Sequence, residues 1–426
     1  MRLSPREQKT SSNSDNVPIS VSVPPNAAPV VACPDCDAIQ VLPSIRRGRL
    51  RCWRCKGTLE RATGRSLDAA LACAVTTLVL LFPANLLPLL SLWYGGISSE
   101  THAASGVVSL WQEGWVLVAV AVALQVVILP FFRFGLLTVS LGAVRWGLKR
   151  GWVGPAFRIA EKLDSWAMPD VFLIGCAIGY SRIEPYAPVS IGTGGWCMIA
   201  AAVMAMVTRA SLDRRSIWRR IEPPALPDGQ QANVTCTACH LLLAPRAAGR
   251  RCPRCGQRVW KRKPFAMDIA AALTAAGFLF YPVANIFPMS MFWSPVITTS
   301  HTIFTGVTDL IHAHLWPLAC LVFTASIGIP LVKLVGMAWF LYSVRRRSNK
   351  HLVQRTELYR AINEIGRWSN IDVYTIAVFT PMVQFGQMAK FEAGIGTPAF
   401  LAVVILTMIA SEAFDPRLMW DAAGAN

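Results

Sequence analysis

The sequence predicts an all-α polytopic membrane protein built as two tandem four-helix transmembrane bundles, each preceded by a small cysteine ribbon. Two observations lead to this class. Hydrophobic residues make up 54% of the 426 residues and charged residues only 15%, which is typical of a membrane protein and unusual for a soluble domain. The landmarks of the first half also recur about 200 residues later, which indicates a duplicated unit.

The recurring landmarks keep the same order in both halves. Each half has two Cys-x-x-Cys pairs, an Asn-x-x-Pro segment, an apolar-Pro step, and a Trp followed by Asp-Val. In the first half these are Cys33, Cys36, Cys52, Cys55, Asn85, Pro88, Pro130, Trp166 and Asp170. In the second half they are Cys236, Cys239, Cys252, Cys255, Asn285, Pro288, Pro330, Trp368 and Asp372. The unit to be explained is therefore a cysteine ribbon joined to a membrane bundle.

Apolar segments long enough to cross a bilayer follow each ribbon. A hydrocarbon core about 30 Å thick requires about 20 apolar helical residues. Eight spans are predicted, at 69–93, 113–142, 169–184, 190–208, 269–292, 315–343, 371–389 and 397–414. Four crossings return each half to its starting side, so the halves are expected to be parallel repeats. The segments 155–167 and 350–367 mix charged and apolar residues and are expected to be amphipathic interfacial helices.

The same landmarks set the predicted domain boundaries. Residues 1–32 are polar and rich in Pro, Ser and Asn, so a disordered tail is expected there. The remaining predicted units are ribbon 33–66, bundle 67–210, linker 211–235, ribbon 236–264, bundle 265–415 and C-terminal tail 416–426.

The distribution of basic residues predicts the orientation in the membrane. The net charge is +17, yet the stretches 94–112 and 293–313 contain no Lys or Arg, whereas basic clusters flank the opposite ends of the spans. By the positive-inside rule both ribbons and both termini are expected in the cytoplasm. This alternation favours an orienting and lipid-contacting role for the cations over nucleic-acid binding.

Eight of the twelve cysteines form four Cys-x-x-Cys pairs, with 15 residues between the pairs of the first ribbon and 12 in the second. Two such pairs supply a tetrahedral thiolate site with metal–sulfur distances of about 2.3 Å, which suits Zn²⁺ or a rubredoxin-like iron. We expect two structural Zn²⁺ sites, because a segment this short needs the metal to fold. A cytoplasmic location disfavours disulfides. His240 could replace one ligand, although four cysteines suffice.

Charged residues within apolar sequence are the candidate functional groups. Arg133 and Lys333 each follow a Pro by three residues, and Asp170 and Asp372 open the third span of each half. A charge at the bilayer centre costs about 3 kcal/mol, so such residues usually face a partner or a wet cavity. Two ion pairs, Arg133–Asp170 and Lys333–Asp372, are expected. The alternatives are helix capping by the acids and snorkelling by the cations.

The second half is expected to hold the working site. A desolvated lysine can exchange a proton, whereas an arginine effectively cannot. The hydroxyls of Ser326 and Thr407 lie in neighbouring apolar sequence. The predicted polar track therefore consists of Ser326, Lys333, Asp372 and Thr407.

Prolines within the spans predict irregular helix geometry. Each removes a backbone donor and clashes with the preceding turn, so a kink or break is expected at Pro130 and Pro330. Structural kinks are also expected at Asn85/Pro88 and Asn285/Pro288, where the Asn amide can satisfy a freed carbonyl.

A four-Cys ribbon followed by a span with Asn/Pro punctuation and three more spans, all repeated, resembles the paraquat-inducible protein A family over about residues 30–415. The resemblance implies an inner-membrane protein of Gram-negative bacteria. It implies a periplasmic MCE-domain tunnel protein as the partner and phospholipid as the cargo. It also implies that polar positions of the C-terminal bundle, here Ser326, Lys333, Asp372 and Thr407, serve transport.

Other functional classes remain open from sequence. No Walker motif, Ser-His-Asp set or Gly-rich phosphate loop is present, so enzymatic chemistry is not expected. A membrane thiol/disulfide redox protein would need accessible, low-pKa cysteines on the periplasmic side. A zinc-ribbon scaffold or sensor would use the ribbons to recruit cytoplasmic partners.

Overall fold

The structure is a computed structural model that describes residues 30–41, 48–62, 66–94, 97–148, 150–184, 188–221, 234–293, 298–383 and 390–424. Nearly all of the expected N-terminal tail lies outside these residues.

The described residues are mostly helical. The helices of the first half are α1 Leu67–Leu86, α2 Ser105–Gln112, α3 Val116–Val122, α4 Leu129–Arg145, α5 Val153–Lys162, α6 Pro169–Ile183, α7 Thr193–Ser211 and α8 Arg214–Ile221. Those of the second half are α9 Ala266–Ile286, α10 Ile303–His312, α11 Trp316–Phe323, α12 Ile329–Arg345, α13 Leu352–Ile365, α14 Ile371–Met382, α15 Gly396–Ala413 and α16 Arg417–Ala422. The helices expected at 155–167 and 350–367 are present as α5 and α13.

Short strands complete the fold, so the expectation of an all-α protein was incomplete. The strands are β1 Val30–Ala32, β2 Ile39–Val41, β3 Gly48–Arg51, β4 Thr58–Ala62, β5 Leu90–Tyr94, β6 Ile97–Thr101, β7 Val189–Ile191, β8 Val234–Thr235, β9 Leu242–Leu243, β10 Ser290–Trp293, β11 Thr298–His301 and β12 Lys390–Ala393. The two three-stranded antiparallel sheets have the orders β6-β5-β7 and β11-β10-β12. Below, the end of the molecule with these sheets is the sheet end, and the opposite end is the ribbon end.

Six helical stretches of the described chain are long and apolar enough to cross a membrane. They are Leu67–Leu86, Val116–Arg145, Thr193–Ser211, Ala266–Ile286, Trp316–Arg345 and Gly396–Ala413. The expected third and seventh spans are shorter, because α6 has 15 residues and α14 has 12. At 1.5 Å per residue they reach only about 22 and 18 Å. The protein is therefore a multi-pass membrane protein with six full-length spans, rather than the predicted eight, in the described residues.

The first span of each half ends before the proline of its Asn-x-x-Pro segment. Helix α1 ends with Leu87 as its C-cap and α9 with Phe287, so Pro88 and Pro288 lie beyond the helices. Their carbonyls accept hydrogen bonds from Gly194 N and Gly396 N, both at 2.9 Å. The predicted kinks at these prolines are wrong: a proline that follows a helix terminates it. The Asn85 and Asn285 amides each donate at 2.8 Å to the carbonyl four residues upstream, Leu81 or Tyr281, and not, as predicted, to a carbonyl freed by Pro88 or Pro288.

The second span of each half stays continuous through its proline. A π-helical turn, Ala123–Ile128 or Thr324–Gly328, precedes Pro130 or Pro330. Because proline lacks an N–H and crowds the preceding turn, a wider turn accommodates the ring without breaking the helix. The irregularity predicted from Pro130 and Pro330 is therefore a π-turn, not a break.

The two halves interlock through α14, which is buried almost throughout. A Cβ on Gly106 of α2 would lie 1.9 Å from the Ala377 carbonyl oxygen, so only glycine permits this approach. The Tyr374 hydroxyl donates to Gln125 Oε1 in the first-half π-turn at 2.8 Å. At the sheet end, Trp115 Nε1 donates to the Ala393 carbonyl at 3.0 Å. Helix α14 of the second half is thus built into the first half.

The ribbons are exchanged between the halves. Ribbon 1 (described residues 30–41 and 48–62) shares a buried core with α12, α13, α15 and α16 of the second half. Ribbon 2 (234–260) shares a buried core with α1, α4, α5, α7 and α8 of the first half. The predicted linker and C-terminal tail are partly helical, because α8 and α16 lie within them.

Candidate functional site: metal ribbons and two charged centres

The four Cys-x-x-Cys pairs adopt the same turn. In each, the residue after the second cysteine donates its N–H to the carbonyl of the first, at 2.8 to 3.0 Å. That residue has a left-handed backbone, with φ of 60° at Asp37, 56° at Lys56, 55° at His240 and 69° at Gly256. The turn directs both thiols of a pair toward the same point, which prepares a four-thiolate site.

The eight thiols form two buried groups, Cys33/Cys36/Cys52/Cys55 and Cys236/Cys239/Cys252/Cys255. Within each group all Sγ atoms lie within 4.8 Å of one another. The closest cross-pair distances are 3.4 and 3.6 Å in ribbon 1 and 3.5 and 3.6 Å in ribbon 2. A tetrahedral ion with sulfur at about 2.3 Å separates its ligands by about 3.8 Å, whereas a disulfide requires about 2.05 Å. The donor set fits a metal ion at both sites.

The first charged centre is formed by Arg133, Asp164, Asp170 and Arg209. Arg133 forms an ion pair with Asp164. Arg209 links the two acids, with Nε 2.8 Å from Asp164 Oδ1 and Nη1 2.7 Å from Asp170 Oδ2. Two guanidiniums and two carboxylates therefore form a chain of ion pairs in the order Arg133, Asp164, Arg209, Asp170, and Arg214 adds a third cation to Asp164 at 3.1 Å.

The predicted direct pair Arg133–Asp170 is wrong, because each residue has another partner. Asp164, in the turn between α5 and α6, meets Arg133, and Arg209 from the last turn of α7 occupies Asp170. Burial opposes ionisation of Asp164, but the three guanidiniums outweigh burial and lower its pKa to about 2.

The second charged centre surrounds Lys333, which is 1% exposed. Among the described residues, the polar partner of Nζ is the Gly366 carbonyl oxygen, at 3.3 Å. The predicted Lys333–Asp372 ion pair is not formed there, because Nζ points to the turn before α14 rather than to the carboxylate. A Cβ on Gly366 would lie 2.8 Å from Nζ, so glycine at this position leaves room for the ammonium group.

The other predicted residues of the polar track lie in the same region. Ser326 lies in the π-turn, which packs against the turn Gly366–Asn370, and its buried hydroxyl has no hydrogen-bond partner among the described residues. Thr407 is buried on α15 and donates to the Val404 carbonyl at 3.0 Å. Asp372 lies in the first turn of α14. The buried Ser369 hydroxyl likewise finds no partner in the described chain. Two buried hydroxyls in the region of Lys333, those of Ser326 and Ser369, are therefore unsatisfied within the part of the chain that the structure describes.

A cavity of about 450 Å³ at the ribbon end joins the two centres. Lys333 and Gly366 line it from the second half, Asp164 and Arg209 from the first, and Glu60 from ribbon 1. The repeat therefore brings both charged centres to one space between the halves and beneath the ribbons.

Sequence reasoning missed several members of these centres. Arg209 lies in the last turn of a span, where the distribution of cations indicates only an orienting role. Asp164 precedes the expected third span and was not considered. Gln125 and Asn370 are polar residues beside apolar segments, which is the signal that could have found them. Gly366 carried no signal, because its role depends on Lys333 reaching it.

The family model for paraquat-inducible protein A matches residues 67–222 and 267–424. The chain belongs to this family. It is 28% identical over 408 residues to the intermembrane transport protein PqiA of Escherichia coli (strain K12), covering 93% of this chain and 96% of that protein.

Two further relatives are similar over nearly their whole length. The lipophilic envelope-spanning tunnel protein A of Escherichia coli (strain K12) is 30% identical over 395 residues, covering 92% of this chain and 91% of that protein. A probable intermembrane transport protein of Haemophilus influenzae is 25% identical over 409 residues, covering 92% and 95%. No solved structure is significantly similar to the chain.

Proposed function

We propose that this family member is the inner-membrane component of an intermembrane lipid transport system. In this role it exchanges phospholipid with a periplasmic MCE-domain tunnel protein. The family match and the relatives named for intermembrane transport support a transport role. The single observation that carries the proposal is the Lys333 centre, where a buried ammonium lies near buried hydroxyls; among the described residues it has one carbonyl partner and the Ser326 and Ser369 hydroxyls have none. Ionisable residues within membrane spans are costly to bury and commonly line a substrate or ion pathway.

In this proposal each half is a four-helix bundle. The fourth element of each bundle is the short helix α6 or α14 together with the strand that follows it. That strand, β7 or β12, pairs with β5 or β10 at the sheet end and so completes the crossing that the short helix begins. The ribbon end is cytoplasmic and the sheet end periplasmic, as the distribution of Lys and Arg predicts. Reporter fusions at residues 44 and 228, in the undescribed stretches 42–47 and 222–233, test this orientation. Periplasmic reporter activity at either position contradicts it.

The transport role is tested by loading a tunnel protein. Full-length protein in vesicles with photo-crosslinkable phospholipid is mixed with a purified MCE-domain partner, and lipid crosslinked to the partner is quantified. Wild type is expected to load lipid, and Lys333→Met is expected to fail while remaining folded in the membrane. Equal loading by empty vesicles or by the variant would contradict the proposal.

We further propose that both ribbons hold structural Zn²⁺. The Sγ distances favour this reading over a thiol/disulfide redox protein. Elemental analysis of the purified chain is expected to give two zinc ions, falling to one in Cys36→Ser and one in Cys239→Ser. Disulfides with no metal would instead support the redox function. Enzymatic activity is not part of the proposal.

A further inference from the structure

Besides the core that it shares with the second half and the ion pairs of Asp37 with Arg262 and Arg417, ribbon 1 contacts one arginine of α13. Arg360 Nη1 lies 3.0 Å from Asp35 Oδ2, and Nη2 donates to the Cys55 carbonyl at 3.0 Å. Nη1 also lies 3.8 Å from Cys55 Sγ. A Cβ on Gly57 would be 2.1 Å from Nη1, so this glycine makes room for the guanidinium. The contact is a shaped, charge-assisted site that involves a metal-binding knuckle.

Helix α13 leads from this contact to the Lys333 centre. Arg360 lies fewer than two helical turns before Gly366, whose carbonyl accepts the hydrogen bond of Lys333. The neighbouring Tyr359 fastens the same helix by donating its hydroxyl to the Ser411 carbonyl of α15 at 2.8 Å. A shift of α13 at Arg360 would therefore move the Lys333 acceptor.

We propose that Arg360 is a positioning residue that couples metal-loaded ribbon 1 to the Lys333 centre. The coupling passes through α13 to the turn Gly366–Asn370. The proposal rests on the proposed function, because it assigns Arg360 an effect on transport. It also makes a purely structural claim, since the order of the turn depends on the ribbon contact whatever the turn is used for.

The first half supplies a matched control. Arg158 of α5 occupies the place in the repeat that Arg360 has in α13, but ribbon 2 has Ala238 where ribbon 1 has Asp35. Within the described residues Arg158 makes no ion pair or hydrogen bond with ribbon 2. That ribbon instead packs on α5 through its backbone, since a Cβ on Gly154 would be 1.9 Å from the Arg254 carbonyl oxygen. The two arginines have matching positions and different contacts.

The test compares Arg360→Gln with Arg158→Gln in the full chain. Zinc content, amide hydrogen exchange at 362–372 and lipid loading of the tunnel protein are measured for both. We expect two zinc ions in each variant. We expect faster exchange at 362–372 and loading reduced about fivefold in Arg360→Gln, and values close to wild type in Arg158→Gln.

Three additional variants keep the test decisive. Asp35→Asn removes the same ion pair from the ribbon side. It replaces Arg360→Gln in the measurements if that variant does not accumulate in the membrane. Arg360→Lys should recover part of the loading. The charge exchange Asp35→Arg with Arg360→Asp should restore both exchange protection and loading.

Specific results would overturn the proposal. Unchanged exchange at 362–372 in Arg360→Gln and Asp35→Asn would sink it, as would equal effects of Arg158→Gln. If exchange changes as expected but Lys333→Met still loads lipid, the coupling stands and the transport role of Lys333 fails. The two ideas are therefore separable.

Discussion

The two charged centres lie at corresponding positions of the repeat, but among the described residues only the first is built from ion pairs. Trp166 and Asp170 of the first half correspond to Trp368 and Asp372 of the second, which places Gly366 where the first half has Asp164. Helices α7 and α15 end with equivalent hydrogen bonds, from Leu212 N to Thr208 O and from Phe414 N to Ala410 O. Aligning these two ends places Ser411 where the first half has Arg209. The second half therefore lacks both central members of the chain of ion pairs in the first, Asp164 and Arg209.

This difference indicates that the two halves of the repeat have different roles. In the first half, two acids and two arginines form three ion pairs that hold α4, α6 and α7 together, although Arg133 Nη1 and Asp170 Oδ1 find no hydrogen-bond partner among the described residues. In the second half, the same framework retains a buried ammonium that has one carbonyl partner among the described residues. A protein tolerates such incomplete satisfaction where function requires it and compensates elsewhere in the fold. We therefore interpret the first half as the brace and the second as the working site.

The largest expected effects come from replacing the two central cations with methionine. Lys333→Met should abolish lipid loading while leaving stability unchanged or raised, because it removes a buried charge and keeps the apolar volume. Arg133→Met should lower the free energy of unfolding by about 3 kcal/mol, because it leaves buried carboxylate charge less compensated. Loading per folded molecule and thermal unfolding in detergent separate the two outcomes. Loss of stability in the lysine variant, with loading intact, would reverse the assignment.

Converting the second centre into the first is the next test. Gly366→Asp installs the carboxylate of Asp164 beside Lys333 and should trap the ammonium in an ion pair, reducing loading strongly. Gly366→Ala is the steric control, since its Cβ would also meet Nζ at 2.8 Å but brings no charge. We expect a smaller reduction from alanine. Equal reductions in both variants would show that space, rather than charge, matters at this position.

The sequence predicted the plan of the molecule better than its details. The repeat, the cysteine clusters and the membrane class follow from spacing and composition, which are local properties. The pairing of Arg133 with Asp164 could not be read from spacing, because Asp164 reaches the site from a short turn whose path depends on how α5 packs. The exchange of ribbons between halves is likewise tertiary, since no local feature of Cys33–Cys55 specifies which bundle lies beneath it.

Acid should weaken the brace through Asp164, with a smaller effect. The folded-state pKa of about 2 lies below the usual Asp value near 4, so this group stabilises the fold at pH above about 4. That contribution, about 2 kcal/mol, is lost as the pH falls from about 4 to about 2. Asp164→Asn should remove it at all pH values and flatten the curve of stability against pH in this window. An equally steep curve in the variant would assign the acid sensitivity to other groups.

The smallest predicted effect tests whether brace and working site are one cooperative unit. Tyr374 of α14 donates to Gln125 of the first-half π-turn, and Asn370 Nδ2 lies 3.3 Å from the same oxygen. A double-mutant cycle of Gln125→Ala and Tyr374→Phe should give a coupling energy of about 1 kcal/mol, as for a buried hydrogen bond.

The control cycle pairs Gln125→Ala with Tyr359→Phe, whose hydroxyl bonds within the second half to Ser411. These two changes should add within about 0.5 kcal/mol, because the residues share no partner. Thermal unfolding should also remain a single transition in every variant, since α14 packs in a buried core built from residues of both halves. Additivity in the Gln125–Tyr374 cycle, together with two separate unfolding transitions, would mean that the halves are independent. The brace would then have no route by which to support the Lys333 centre.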